Sequence, residues 1–180
     1  MNVNDILNKT LELLGIHDCT VAAGTTDQRV LDLVTALGVT YLRLVTEYAP
    51  LEREEQVIVS GGSFDASALA EPIFDAVRLT DKAGRSVAFR LRGKTLLAKD
   101  GEYVLRYYAF PAAYPAIGGT VEVAPQIALD LLARGVAAEY ATAQMMYEES
   151  LMHERKYKEG LMKALSPRGT KRLPEGKRWI

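Results

Sequence analysis

The feature that most constrains the fold is the run from Pro125 to Leu165, which carries the strongest helical pattern in the sequence. Pro125 suits a first helical turn, where its missing N–H costs nothing, and no further proline occurs before Pro167. In the first half, small and apolar residues recur at spacings of three and four, the period of one helix face. The run predicts one continuous helix of about 40 residues, roughly 60 Å long. The residues of that face are Ala128, Leu131, Leu132, Gly135, Ala138, Ala141, Thr142 and Met145.

The two halves of this predicted helix differ in composition. The first half is rich in glycine and alanine, which favours close packing, and the second half carries many charges. Glu154 and Lys158 lie one turn apart in the favourable order, so a solvent-exposed face accounts for most of these charges. An apolar trace continues nevertheless, as expected of a helix that extends beyond its own domain to a neighbouring copy. The predicted subunit interface comprises Gly135, Ala138, Ala141, Met145, Tyr147 and Leu151.

Two helices are predicted before residue 51. Asn4 can cap the first helix, and Gly15 ends it. Thr25 or Thr26 can cap the second helix, which runs to about Tyr48. Apolar residues cover more than half of the circumference of this second helix, with Val39 and Leu42 among them, which predicts a central position in a helical bundle.

Residues 51–124 have the alternating pattern of strands. Asp100-Gly101 predicts a hairpin turn between the last two long strands. The predicted strands are Gln56–Ser60, Phe74–Thr80, Ser86–Arg92, Lys94–Lys99, Tyr103–Phe110 and Thr120–Val123. The expected fold class is therefore α+β, with a helical bundle formed by residues 1–50 and 125–166, an inserted antiparallel β-module at residues 51–124, and a basic extended tail at residues 167–180.

Charge is distributed unevenly along the 180 residues. The chain has a formal net charge of −1, but residues 74–110 and residues 167–180 each carry +4, which leaves −9 on the remainder. Such segregation suits a protein that meets different partners at different ends. Cys19 is the only cysteine, the N-terminus lacks the pattern of a signal peptide, and no apolar run approaches the ~18 residues of a membrane span. We therefore expect a reducing, aqueous compartment.

Residues that could carry chemistry are scattered. His17, Asp18 and Cys19 are adjacent, but a turn explains them better than a metal site, since no second cluster completes a ligand set. The acidic cluster Glu52, Glu54 and Glu55 is interpreted as a solvated edge. The sequence shows no carboxylate–histidine–nucleophile set and no phosphate-binding loop. We expect no enzyme, no metal and no cofactor.

Basic residues concentrate in the β-module and in the tail. Arg90, Arg92 and Lys94 are the predicted contacts of the module with a partner, whereas sequence-specific DNA recognition is disfavoured. The tail has no helical or strand period, which predicts disorder of the tail in isolation. Its single tryptophan favours capture by another protein over a merely solubilising role. The predicted docking residues are Arg168, Lys171, Arg172, Lys177, Arg178, Trp179 and Ile180.

The order of these parts resembles the head–tail connector, or adaptor, proteins of tailed bacteriophages, including the tail-tubular or gatekeeper proteins of short-tailed phages. The residues that carry the resemblance are the segment from Val123 to Tyr140 and the strand Tyr103–Phe110, with Pro111 and Tyr114 after it. The layout covers the whole chain, although no invariant motif defines it.

The resemblance implies a structural virion protein rather than an enzyme. It implies a ring of copies, of dodecameric size, between the portal protein and a tail or nozzle protein in the virion neck, assembled in the host cytoplasm. The tail would enter a groove of the portal, and the genome would pass through the channel with non-specific contact to the DNA. The alternatives are a tail-completion or stopper protein of the same neck, a non-viral cytosolic scaffold or small-ligand module, and a hydrolase with an unseen site.

Overall fold

The computed structural model describes residues 1–22 and 24–166, and in this part of the chain it has four α-helices and two three-stranded antiparallel sheets. The α+β class expected from the sequence is confirmed. The helices are α1 (Val3–Leu13), α2 (Gln28–Arg43, extended by a π-helical turn, Leu44–Tyr48), α3 (Leu129–Ala143) and α4 (Tyr147–Leu165). The strands are β1 (Leu51–Val59), β2 (Ser63–Asp65), β3 (Ile73–Thr80), β4 (Phe89–Arg92), β5 (Thr95–Ala98) and β6 (Gly101–Ala109).

The prediction of one continuous helix from Pro125 to Leu165 is wrong, because the chain reverses between α3 and α4. Met145 lies in the turn with φ 60°. The hydroxyls of Thr142 and Ser150 are 2.6 Å apart, and Ser150 also donates to the carbonyl of Ala138 at 3.0 Å, which places α4 antiparallel to α3. The Gly- and Ala-rich half therefore packs against the charged half of the same chain, and no rod of roughly 60 Å exists.

Helix α3 is the central helix of the bundle, with α1, α2 and α4 around it. A Cβ added at Gly135 would lie 2.7 Å from Cγ2 of Thr40 in α2 and 3.0 Å from the ring of Tyr157 in α4, so both neighbours approach α3 at one point. The glycine is required there because any side chain would push one helix away. The bundle core includes Ile6, Leu7, Val30, Leu33, Leu37, Leu132, Val136 and Leu161.

The β-module contains a second cluster of buried apolar side chains. Its two sheets have the strand orders β1-β6-β3 and β2-β5-β4. The cluster comprises Val57, Val59, Ala66, Leu69, Leu79, Leu96, Leu105, Tyr107 and Ala109. Leu51, Ile117, Val121 and Val123, which lie at the ends of the inserted segment, pack with the helical core instead.

The predicted hairpin at Asp100-Gly101 is wrong, because β5 and β6 belong to different sheets. The two-residue connection lies earlier, where Arg92 pairs with Thr95 and Gly93 has φ 57°. Strand β1 also begins at Leu51, five residues before the predicted start, since its charged residues are paired across the sheet. The predicted strand Thr120–Val123 is not formed, and only Thr120 makes an isolated β-bridge, to Asn2.

Two predicted helix caps are replaced by neighbouring residues. Asn2 rather than Asn4 caps α1, accepting from the Asn4 N–H at 2.8 Å. Asp27 rather than Thr25 or Thr26 caps α2, accepting from the Arg29 N–H at 2.9 Å. Both caps lie within two residues of the expected position and use the same physics, a side-chain oxygen that satisfies an orphan amide.

An ion-pair network ties strand β1 to the segment that leads into α3. The guanidinium of Arg53 in β1 lies 3.0 Å from the Glu71 carboxylate and 2.5 Å from that of Glu122, just before α3. The hydrogen bond from Arg53 lowers the pKa of Glu122. Tyr41 of α2 donates to the backbone carbonyl of Glu122 at 2.8 Å. The segment entering α3 is therefore held from both the sheet and α2. In the described ranges, no helix combines the length and apolarity that crossing a membrane requires.

Candidate interaction surfaces

The outward face of α4 carries large apolar side chains that contact no other part of the described chain extensively. Tyr147, Leu151 and Met162 are 63%, 66% and 70% exposed, and they lie at spacings of 4 and 11, on one helix face. Met145, in the preceding turn, is also exposed. Ion pairs within the helix, such as Lys158 with Glu154 at 2.7 Å, occupy the flanking charges. Two ion pairs of α4 are therefore formed within the helix, whereas the apolar residues of this face are not covered.

A second uncovered face lies on α2. Leu31, Val39 and Leu42 are each partly exposed, and Thr35 and Thr46 complete a stripe without any charged residue. The wide apolar surface of α2 led to the prediction that α2 is the central helix of the bundle. That prediction is wrong, because α3 is central and part of the apolar surface of α2 is exposed. The signal for a surface site was therefore present in the sequence and was assigned to the core.

The small residues predicted as a subunit interface are buried inside the subunit. Gly135, Ala138 and Ala141 face α1, α2 and α4 of the same chain, and Ala141 is fully buried. The prediction is wrong for these three residues because α4 folds back onto them. Met145, Tyr147 and Leu151, from the same predicted set, are exposed. The structure thus divides the predicted interface into an inner and an outer group.

Polar side chains of α4 are buried in its contact with α3. Ser150 and His153 are buried there, and Nδ1 of His153 and the hydroxyl of Tyr157 have no hydrogen-bond partner within the described residues. Burial lowers the pKa of His153, and the nearby cations Arg134 and Lys156 lower it further. Burial raises the pKa of Tyr157. A buried polar atom without a partner costs roughly 1–3 kcal/mol, so this contact is weaker than its area suggests.

The basic residues predicted to make partner contacts lie at an edge strand of the β2-β5-β4 sheet. Arg90 and Arg92 belong to β4, Lys94 follows in the turn, and all three are exposed. In the described part of the chain, no carboxylate lies within 4.0 Å of Arg90 or Arg92, whereas Arg106 is paired with Glu52 at 2.5 Å. Charge on an edge strand discourages pairing with other strands, and it also leaves two cations available to an acidic partner.

The acidic cluster in β1 is occupied by contacts within the chain. Glu52 pairs with Arg106, and Glu55 accepts from Tyr107 and from the Ala70 N–H. The hydrogen bond from Arg106 lowers the pKa of Glu52. The cluster is thus a cross-strand network rather than a merely solvated edge.

The His17–Cys19 segment has a similar character. Asp18 lies 3.0 Å from the Arg29 guanidinium, and the Cys19 thiol donates to the Asp27 carboxylate at 3.5 Å. The hydrogen bond from Arg29 lowers the pKa of Asp27 to about 2. Among the residues that the structure describes, no group of three histidine, cysteine, aspartate or glutamate side chains is arranged to hold a metal ion.

An apolar pocket of about 290 Å³ lies between α2 and the loop after β6. Gly38 forms part of its floor, and a Cβ there would lie 3.1 Å from the ring of Tyr114, which is itself largely exposed. Phe110 and Pro111 line the opposite side. The pocket is small for a cofactor site and adjoins the exposed stripe of α2 at Leu42, so it extends that apolar surface.

The predicted docking residues of the tail, from Arg168 to Ile180, lie outside the described residues. The candidate site is therefore a set of surfaces: the outward face of α4, the stripe on α2 with its pocket, and the cationic edge of β4. Neither a family model nor a curated protein sequence matches this chain.

Proposed function

We propose that this protein is a structural subunit that associates with copies of itself. The observation that carries this proposal is the pair of uncovered apolar faces, one on α4 around Leu151 and one on α2 around Val39. Exposed apolar groups of this size, when contiguous, mark protein–protein contacts more often than they mark free surface. Burying them between copies removes apolar area from water at roughly 25 cal/mol per Å².

The two faces differ in shape and composition, which bears on the symmetry of the assembly. The α2 face is a smooth stripe of Leu, Val and Thr, and the α4 face has the longer side chains of Tyr147, Leu151 and Met162. An isologous dimer would require one self-complementary face, whereas two different faces suit head-to-tail contact. Head-to-tail contact that closes produces a ring, and we propose a ring.

Together with the resemblance of the layout, these surfaces support a role as the head-to-tail adaptor of a tailed bacteriophage. In this role the ring lies in the virion neck, receives the portal protein through the tail at residues 167–180, and meets a tail or nozzle protein through Arg90, Arg92 and Lys94. DNA passes through the channel with non-specific contact only. A tail-completion or stopper protein of the same neck would use the same surfaces.

Charge introduction at one face tests self-association directly. Leu151→Glu places a carboxylate on the α4 face and should reduce the assembled fraction at least about tenfold, since burying an unpaired charge is costly. Ile58→Glu is the matched control, because Ile58 is 68% exposed but lies on β1. Native mass spectrometry and sedimentation velocity measure the effect. Equal loss in both variants, or loss in neither, would contradict the proposal.

The portal contact has a separate test. Deletion of residues 167–180 should leave the fold intact and abolish binding to the portal protein of the same phage, measured by co-sedimentation. Arg90→Ala with Arg92→Ala should leave portal binding unchanged and weaken contact with the tail partner. Unchanged portal binding after the deletion would show that residues 167–180 have no docking role.

The pocket beside Tyr114 favours one second candidate, a module that binds a small apolar ligand. Gly38→Leu would fill that pocket from α2 and would abolish a ligand-dependent rise in melting temperature. The structural role instead predicts that no small ligand raises the melting temperature and that Gly38→Leu acts only on assembly.

A further inference from the structure

The pocket between α2 and the loop after β6 has the size and the lining of a site for an aromatic side chain. Tyr41, Phe110 and Tyr114 line it together with glycine, leucine, alanine and two prolines, and no lining residue is charged. Its volume is about 290 Å³. A dry cavity of ~150 Å³ holds one benzene ring in a protein interior, so this pocket has room for the two fused rings of an indole.

A glycine inside α2 keeps this pocket open. Gly38 lies in the middle of a regular helix, where glycine costs about 1 kcal/mol relative to alanine. A Cβ at this position would lie 3.1 Å from the ring of Tyr114. That ring forms a wall of the pocket although Tyr114 is 77% exposed, so its own burial contributes little to holding it there. A side chain that fills the pocket from elsewhere accounts for both residues.

The chain beside the pocket is acidic. Leu51 pairs with Ala109, the residue before the pocket wall, so the connection from α2 into β1 runs next to the pocket. This acidic connection, residues 47–55, carries four glutamates and one arginine, a net charge of −3. Glu47 is exposed, and the side chain of Glu54 is 62% exposed. An aromatic side chain that is flanked by cations therefore matches both the pocket and its surroundings.

The chain itself contains one segment with this chemistry. Residues 167–180, which lie outside the described residues, hold five basic residues and one acidic residue, a net charge of +4. They also hold the single tryptophan of the sequence, Trp179, directly after Lys177 and Arg178. The sequence thus places two cations beside its largest aromatic side chain.

The segment is long enough to reach the pocket of its own chain. Gly160 of α4 packs against Leu131 of α3, so α4 ends where α3 begins. The segment that enters α3 is bound through the Glu122 carbonyl by Tyr41, which lines the pocket. The end of α4 and the pocket therefore lie toward the same end of the bundle. The chain from 167 to 179 spans up to roughly 45 Å, more than the roughly 30 Å width of three packed helices.

We propose that Trp179 occupies this pocket in its own chain, with Lys177 and Arg178 against the acidic connection, until a partner binds the tail. A site on the same chain acts at an effective concentration of order millimolar, so a contact of modest affinity is populated even in a dilute monomer. The docked tail keeps its aromatic residue from other proteins. The inference goes beyond the proposed function because it concerns the isolated chain, and only the transfer of the tail to the portal rests on that function.

The fluorescence of Trp179 tests the docking, because no other tryptophan contributes to the signal. Full-length protein is diluted until native mass spectrometry detects only monomer, and its emission and its quenching by acrylamide are compared with those of a synthetic peptide of residues 167–180. Docking predicts blue-shifted emission and protection from acrylamide, both independent of protein concentration. Values equal to those of the peptide would overturn the inference. Protection that appears only at higher concentration would place Trp179 on a second copy and would also overturn it.

Two variants change the pocket itself. Gly38→Leu fills it from α2, Tyr114→Ala removes one wall, and each should reduce the docking equilibrium constant about tenfold to thirtyfold. Ile58→Ala is the control, because it truncates an apolar side chain that is 68% exposed on β1 and does not line the pocket. Circular dichroism checks that all three variants are folded. Unchanged protection in both pocket variants, or an equal loss in the control, would contradict docking at this pocket.

The transfer of the tail separates this inference from the proposed function. In rapid mixing with the portal protein of the same phage, Gly38→Leu should bind faster than the unchanged chain, because its tail needs no release from the pocket. Equal rates, with Trp179 protected in the unchanged chain, would overturn the regulatory role of the docking. Portal binding by neither chain would contradict the proposed function and leave the docking of Trp179 standing.

Discussion

Helices α2 and α4 both pack on α3, yet they are held by different kinds of contact. On α2 the buried side chains are mainly apolar, with Val30, Leu33 and Leu37 fully buried. On α4 the buried set includes Ser150 and His153 beside only a few apolar residues. The same central helix thus has a mainly apolar contact with α2 on one side and a more polar, although more extensive, contact with α4 on the other. Two segments can therefore have equally clear helical patterns in the sequence and still pack on the same helix through contacts of different composition.

The largest effect is expected in the apolar contact of α2. Leu37→Ala should lower the free energy of unfolding by about 2–5 kcal/mol, because it leaves a cavity in the bundle core. Urea denaturation followed by circular dichroism measures the loss. If α2 is a permanent part of the fold, all helical signal is lost in one transition. A loss below about 1 kcal/mol would show that α2 is not an anchor.

A substitution at Gly135, where α2 and α4 both approach α3, tests which of these two helices is displaced from α3. Gly135→Ala introduces a methyl group 2.7 Å from Thr40 of α2 and 3.0 Å from Tyr157 of α4. Overpacking of about 1–3 kcal/mol exceeds the ~1 kcal/mol gained in helix propensity, so a net loss is expected. Amide hydrogen exchange should quicken in α4 and remain unchanged in α2. Quickening in α2 alone would reverse the comparison.

Acid should weaken the polar contact of α4 through His153. The folded state lowers the pKa of His153 from its ordinary 6.5. Below that value the unfolded chain therefore binds more protons than the folded one, and the free energy of unfolding decreases as the pH is lowered. Well above 6.5 both states are neutral and the residue contributes no pH dependence. The slope is at most about 1.4 kcal/mol per pH unit.

Two variants isolate the histidine responsible. His153→Leu should abolish the added slope below about pH 6.5, whereas His17→Gln should retain it, because His17 is exposed and remote from α4. Denaturant unfolding over a pH series gives both slopes. A slope that persists in His153→Leu would assign the acid sensitivity to another group.

The smallest effects should differ in sign between two tyrosines. Tyr157→Phe removes a buried hydroxyl that has no partner and should raise the free energy of unfolding by up to about 1 kcal/mol. Tyr41→Phe removes a hydrogen bond to the Glu122 carbonyl and should lower it by about 0.5–1.5 kcal/mol. Thermal unfolding of the two variants compares them. A loss in both would show that the α4 contact is better satisfied than the geometry indicates.

The class of fold was predictable because periodicity is a local property. The alternation of β6 from Tyr103 onward and the apolar spacing of α3 both required only a short window of sequence. The pairing of strands was harder to predict from the sequence. Asp100-Gly101 has the composition of a hairpin turn, but the partners of β5 and β6 are chosen by the packing of two sheets, which no dipeptide encodes.

The site was predictable only in part, and for one physical reason. Nothing in the residues around Met145 terminates a helix, so local propensity favours one rod, and only the tertiary contact of α4 with α3 reverses the chain. That single turn moved Gly135, Ala138 and Ala141 from an expected interface into the core and left Tyr147 and Leu151 outside. The face on α2 was visible in the sequence as excess apolar surface.

Native-state hydrogen exchange of the full-length, dilute protein tests most directly whether α4 can detach while α2 stays packed on α3. Amides of α4 from Leu151 to Leu161 should exchange through an opening well below the global free energy of unfolding, whereas those of α2 and α3 should reach the global value. Protection of α4 equal to that of α2 would contradict it.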